Sequence, residues 1–149
     1  MKSTPVHFYV QRNYSFTTRG PPIPWDLARV NEGNAMDLTS GIFTAPRPGI
    51  YFFSFTGAAK YIESSSTVSL EIGLYLNGDR IGSNWVEDAN SVGTQFSTMS
   101  LQSTVNLKSG DQIWVAIWYQ ITGSYLYENG EHLIHFTGWM LEEDIVASL

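Results

Sequence analysis

Apolar and polar residues alternate along most of this chain with a period of two, the period of a β-strand with one buried face. The clearest run is Val68, Leu70, Ile72, Leu74 and Leu76 on one face against Ser69, Glu71, Gly73 and Tyr75 on the other. It ends in Asn77-Gly78, a pair suited to the positive φ angles of a tight hairpin, so Arg80 to Val86 is the return strand. A second run follows the rigid turn Pro46-Arg47-Pro48-Gly49. There Tyr51, Phe53 and Phe55 point one way and Ile50, Phe52, Ser54 and Thr56 the other, giving a strand with a row of aromatic rings. Such a row needs a second sheet to cover it.

The same reading gives strands over Val6 to Val10, Asp26 to Asn31, Phe96 to Leu107, Gln112 to Ile121 and Leu133 to Leu141. Pro21, Pro22 and Pro24 exclude a helix in the loop between the first two. Glu87 to Gln95 and Gly123 to Glu131 read as polar loops. Gln112 to Ile121 departs from simple alternation. Ile113, Val115, Ile117, Tyr119 and Ile121 form one apolar face, and Trp114, Ala116 and Trp118 make the other apolar too. Either a loop covers that second face, or it is a partly exposed patch, or it meets another subunit. Roughly eight to ten strands without a convincing helix predict an all-β, two-sheet jelly-roll sandwich. At 149 residues the chain has the length of one domain, 1–149.

Composition narrows the function. Only 15% of residues are charged, well under the usual ~25%, which suits a chain that hides surface in an oligomer. The net charge of −6 and the lack of a basic patch argue against a nucleic-acid partner. No apolar run reaches membrane-spanning length, so no membrane insertion is expected. The absence of cysteine removes disulfides, thiolate catalysis and Cys-based zinc sites. No signal peptide is visible, and Met1-Lys2-Ser3 fits a start from which one has been removed. Asn13-Tyr14-Ser15 matches the N-glycosylation pattern of secreted proteins.

No catalytic motif appears, and no enzyme is expected. His132 and His135, read as two positions of one strand, would face opposite ways and not share an ion. Glu87, Asp88 and Asn90 offer oxygen ligands for part of a calcium shell, or form an ordinary solvated loop. Tyr125, Tyr127 and Asn129 offer rings and an amide that suit a sugar's apolar face and its hydroxyls, or again a plain loop.

Taken in order, a set of these residues resembles the globular head of complement C1q, a relative of tumour necrosis factor. The set is Asn31, Asp37, Thr39, Gly41 and Phe43, then Pro48, Gly49, Tyr51, Phe53 and Phe55. It continues with Leu74-Tyr75-Leu76-Asn77-Gly78, Gly110-Asp111-Gln112-Ile113-Trp114-Val115 and Phe136-Thr137-Gly138-Trp139-Met140-Leu141. Trp25 stands where that family has Phe, and Met36 where it has an aromatic or Leu. The resemblance implies a ten-stranded jelly roll, a homotrimer and a secreted recognition head for glycans, anionic ligands, microbial surfaces or proteins. It also implies a second reading, a secreted trimeric ligand for a cell-surface receptor. No Gly-X-Y stalk precedes the head, as in the head-only members common among invertebrates. Some relatives bind calcium after the central hairpin, where this chain has Glu87, Asp88 and Asn90; Ser97 replaces their further Asp.

Overall fold

A computed structural model describes residues 4–61, 67–88, 95–121 and 123–148. Its strands are β1 (His7–Gln11), β2 (Leu27–Glu32), β3 (Met36–Asp37), β4 (Ile42–Thr44), β5 (Gly49–Tyr61), β6 (Val68–Leu76), β7 (Asp79–Asp88), β8 (Gln95–Leu107), β9 (Gln112–Ile121), β10 (Tyr125–Leu126) and β11 (His135–Glu143). A single helical turn, α1 (Ile145–Ser148), follows. Sheet I runs β10-β5-β11-β1-β2, with β8 along the other side of β5. Sheet II runs β3-β4-β9-β6-β7. All pairings between these strands are antiparallel, and the two sheets pack face to face as a jelly roll.

The core lies where the alternation placed it. Tyr51, Phe53 and Phe55 of sheet I and Leu70, Ile72 and Leu74 of sheet II are all buried. Phe8, Phe43, Phe53 and Phe136 form its aromatic centre, with Phe8 5.0 Å from Phe136 and Phe43 5.4 Å from Phe53. Gly138 makes this packing possible: a Cβ there would stand 2.5 Å from Phe8 and 2.7 Å from Phe53. Trp25 is a core residue, stacked on Phe136 at 5.9 Å, and Met36 is buried beside it in the same cluster. The polar residues of the pattern close turns. Asn77, at φ 51° before Gly78 at 96°, makes the hairpin and also ties it to the neighbouring turn. Its amide donates to Asp111 at 3.0 Å and its carbonyl accepts from the Gln112 N–H at 2.8 Å.

Several boundaries differ from the sequence pattern. β5 continues to Tyr61, beyond the aromatic row, so Lys60 is a strand residue. β7 includes Glu87 and Asp88, which the pattern assigned to a loop. Tyr125 and Leu126, also read as loop, pair with Lys60 and Ala59. The last strand begins at His135, and His132 lies before it at a positive φ of 59°. Along β9 the register shifts between its pairs with Glu71 and Ile72. That bulge adds a residue at Trp118 and turns Tyr119 outward, to 37% exposure, so Tyr119 does not continue the buried face of Ile113, Val115 and Ile117.

Candidate functional site

The 128–134 loop, which follows the two tyrosines of the 123–131 segment, is held by a charged anchor. Glu128 is buried and accepts the N–H groups of Gly130 at 2.7 Å, His132 at 2.8 Å and Ile134 at 3.1 Å. Burial alone would raise this carboxyl, but the N–H donors outweigh it and hold it below the usual carboxylate range. Arg12 is buried nearby and donates to the carbonyls of Pro24 at 2.7 Å, Tyr14 at 2.9 Å and Ser15 at 3.2 Å. Burial lowers the Arg12 pKa, opposed by Asp26 and Glu128. These charges are satisfied by backbone groups, which makes them fasteners of the N-terminal segment and the 128–134 loop.

Before that loop, Tyr125 sits across from Lys60 in the sheet. Tyr127 meets Phe96 edge-on at 5.1 Å, and the Lys60 ammonium lies 4.8 Å from the Tyr127 ring. Phe96 is 51% exposed. The structure therefore joins Tyr125 and Tyr127 to Lys60 and Phe96, two residues that sequence reasoning passed over. Outward alternation carried on to Lys60 was the signal that could have found one of them. Asn129 is exposed, and its side-chain carbonyl accepts from the Glu131 N–H at 3.0 Å, so that oxygen serves the loop's own turn.

Glu87 and Asp88 are successive residues at the end of β7, paired with Ser69 and Val68. They point to opposite faces of a strand and do not converge on one ion as loop ligands would. Asn90 lies outside the described residues. Ser97 accepts a hydrogen bond from the Tyr61 hydroxyl at 3.1 Å. Among the described residues, no three His, Asp or Glu side chains gather into a metal site. The two histidines sit apart in role: His132 Nδ1 is 3.1 Å from the Arg12 carbonyl, while His135 packs edge-on against Tyr9 at 5.6 Å.

A segment of the same chain runs alongside β9 in the plane of sheet II. The N–H groups of Gly20 and Ile23 donate to the carbonyls of Ile117 at 2.9 Å and Val115 at 2.8 Å, and Pro22 bridges to Ala116. Ala116, bridged to Pro22, is buried. Trp114 stacks on Tyr75 at 5.9 Å, and the Arg80 guanidinium lies 3.7 Å above Trp118. Both indoles remain half-buried.

An open cleft of about 510 Å3 lies between Val6, His7, Trp139 and Met140, walled at one side by Arg47 and Glu143, whose ion pair measures 2.5 Å. It contains none of the sequence-derived site residues.

The C1q domain model matches residues 7–141. The chain belongs to the C1q domain family. It is 31% identical over 140 residues to mouse (Mus musculus) complement C1q tumor necrosis factor-related protein 2, covering 92% of this chain and 43% of that protein. Rat (Rattus norvegicus) complement C1q tumor necrosis factor-related protein 5 is 29% identical over 131 residues, covering 83% of this chain and 47% of that protein. The chain thus spans less than half the length of these relatives. The globular domain of zebrafish complement 1qA superposes with a TM-score of 0.62 at 17% identity, covering 93% of this chain and 99% of that one, and it supports the jelly-roll fold alone.

Proposed function

We propose that this C1q domain is a secreted, non-enzymatic recognition module that assembles as a homotrimer and binds surface ligands of microbes or self in innate immunity. The carrying observation is the outer face of sheet I. From β1 across β11 and β5 to β8 it presents His7, Tyr9, His135, Thr137, Trp139, Ile50, Phe52, Ser54, Thr56 and the Thr98-Ser100-Gln102-Thr104-Asn106 row. Within this stretch no side chain carries a carboxylate, an ammonium or a guanidinium; Lys60, farther along β5 on the same face, stands beside Phe96 at its end. Phe52 and Trp139 meet at 4.8 Å in its middle. Charge depletion with central aromatics is the composition of an interface core.

The partner surface is the sandwich edge where β7 lies over β8. Ile81 and Trp85 are 40% and 59% exposed there. An edge packing on a different face of the next copy is a head-to-tail contact, which stays finite only by closing into a ring. Three copies then display each weak site three times, and avidity makes up for modest single-site affinity on a repetitive surface. Trp114, Ala116 and Trp118, the sequence's own interface candidate, stay outside this contact. Exposed Asn13 at the start of its glycosylation pattern supports secretion.

The test is light scattering at micromolar concentration together with a glycan and microbial-polysaccharide screen. A trimer that Thr137→Lys converts to folded monomers, and that captures ligands, supports the proposal; a monomeric parent overturns the assembly. The second reading, a trimeric ligand for a cell-surface receptor, is favoured by the tumor necrosis factor-related names of the relatives. Receptor capture from cells with an empty glycan screen would select it.

A further inference from the structure

The outer face of sheet II carries two guanidinium groups laid on aromatic rings. Arg80 is exposed and its guanidinium carbon stands 3.7 Å from the centre of the Trp118 ring. Its stem runs over Gly73, where a Cβ would come within 2.8 Å of it, so the missing side chain is the trough that seats the arginine. Arg19 is exposed and lies 5.5 Å from the Tyr119 ring, with its Nε donating to the Trp118 carbonyl at 2.9 Å. The Trp118 and Tyr119 rings are themselves 5.9 Å apart. The β9 bulge is what turns these two successive residues into neighbours under two cations.

No carboxylate lies within ion-pair distance of either guanidinium among the described residues, where the ion pair found is Arg47 with Glu143. The other arginines are engaged: Arg12 is buried on carbonyls, and Arg29 donates to Gln11 at 3.1 Å. Two unpaired, seated arginines on a chain of net charge −6 are an uncommon placement of positive charge. Stacking fixes a guanidinium while leaving in-plane N–H groups free to grip a carboxylate or sulfate in bidentate fashion. The adjoining rings offer apolar surface to a sugar.

We infer that Arg19 and Arg80, on the Trp118–Tyr119 platform, form a binding site for an acidic polysaccharide. This rests on the recognition reading above and names its ligand class and location. Glu71, opposite Tyr119 in the sheet, is the acidic neighbour and opposes the same ligand.

Dextran and dextran sulfate share one backbone and differ in charge, so surface plasmon resonance on immobilised samples of each is the test. The parent should bind dextran sulfate and not dextran, more weakly as salt rises. Arg19→Gln with Arg80→Gln should lose at least tenfold in affinity while light scattering and the tryptophan spectrum stay those of a folded parent. Glu71→Gln should tighten binding about two- to threefold. Arg29→Gln with Lys108→Gln removes the same charge elsewhere and should change little. If this control pair costs as much as the Arg19 and Arg80 pair, or the latter costs nothing, the site is overturned. If the parent ignores dextran sulfate yet captures other glycans, this inference fails and the recognition reading stands; capture of no glycan at all removes both.

Discussion

Across sheet I, Ile50, Phe52, Ser54 and Thr56 alternate with Tyr51, Phe53 and Phe55 and are uncharged, with Phe52 against Trp139 at 4.8 Å. Across sheet II, Glu71, Gly73 and Tyr75 alternate with Leu70, Ile72 and Leu74, and this outer face holds Tyr75 stacked on Trp114 and Trp118 carrying Arg80 at 3.7 Å. Both faces are aromatic and both rest on one core. They differ in what remains to be satisfied. The first leaves apolar and hydroxyl surface that a protein surface of matching shape covers without desolvating a charge. The second leaves cations that gain more from an anion arriving with its own hydration than from burial under another protein. Ring content alone therefore does not identify an interface; the charge beside the rings decides between a protein and a polyanion.

The largest test of the comparison separates two adjacent residues of β5. Phe53 is buried between the sheets and Phe52 lies on the outer face of sheet I. Phe53→Ala should cost about 3–5 kcal/mol of folding stability in denaturant titration, the range for a buried phenylalanine. Phe52→Ala should weaken assembly at a much smaller cost to the monomer. Equal stability losses would mean that the outer face is part of the fold's own core.

Much of this was legible in the sequence, because period-two patterning is a direct consequence of strand geometry. Tyr51, Phe53, Phe55, Leu70, Ile72 and Leu74 could be placed in the core from it, and Asn77-Gly78 at the hairpin. What escaped depends on partners far along the chain. Tyr125 and Leu126 are extended because Lys60 and Ala59 lie beside them, and two residues show no period of their own. The bulge at Trp118 comes from the pairing of β6 with β9, so the alternation through Tyr119 and Ile121 was carried one residue too far. The segment bonded alongside β9 is Gly20 to Ile23, nearly a hundred positions away in a proline-rich stretch that has no pattern to read. The arginine platform joins residues from three separate segments for the same reason.

The next effect is smaller and belongs to sheet II. A double-mutant cycle on Arg80→Gln and Trp118→Phe should give a coupling of about 0.5–1 kcal/mol, the size of an exposed cation–π contact. Tyr75→Phe, whose ring stacks on Trp114 at 5.9 Å, should not couple to Arg80 comparably. A coupling near zero would leave Arg80 unseated and remove the difference in organisation between the two faces.

The smallest effect is a pH dependence that should appear on one face and not the other. His135 lies on the outer face of sheet I, edge-on to Tyr9 at 5.6 Å and opposite Gln11 and Thr56 in the neighbouring strands. Burial lowers its pKa from the ordinary 6.5, and the Glu128 charge only partly offsets this. A base whose pKa is lower when folded binds fewer protons in the native state than in the unfolded one. Its contribution to stability is then complete above pH 6.5 and is lost as the pH falls from there through the folded value. Docking a second copy over His135 would desolvate it further and move it in the same direction, so the trimer should lose stability with acid more steeply than the Thr137→Lys monomer. Denaturant titrations between pH 8 and 5.5 measure both slopes, each about one proton per chain at most. His135→Gln should flatten them and bring the two forms together. Glu128, whose carboxyl is held below its ordinary 4.5, adds its own loss only in more acid solution and leaves that window clear. A trimer and a monomer with the same slope, both unchanged by His135→Gln, would show that His135 is not covered on assembly. The protein partner would then have to be sought on another face.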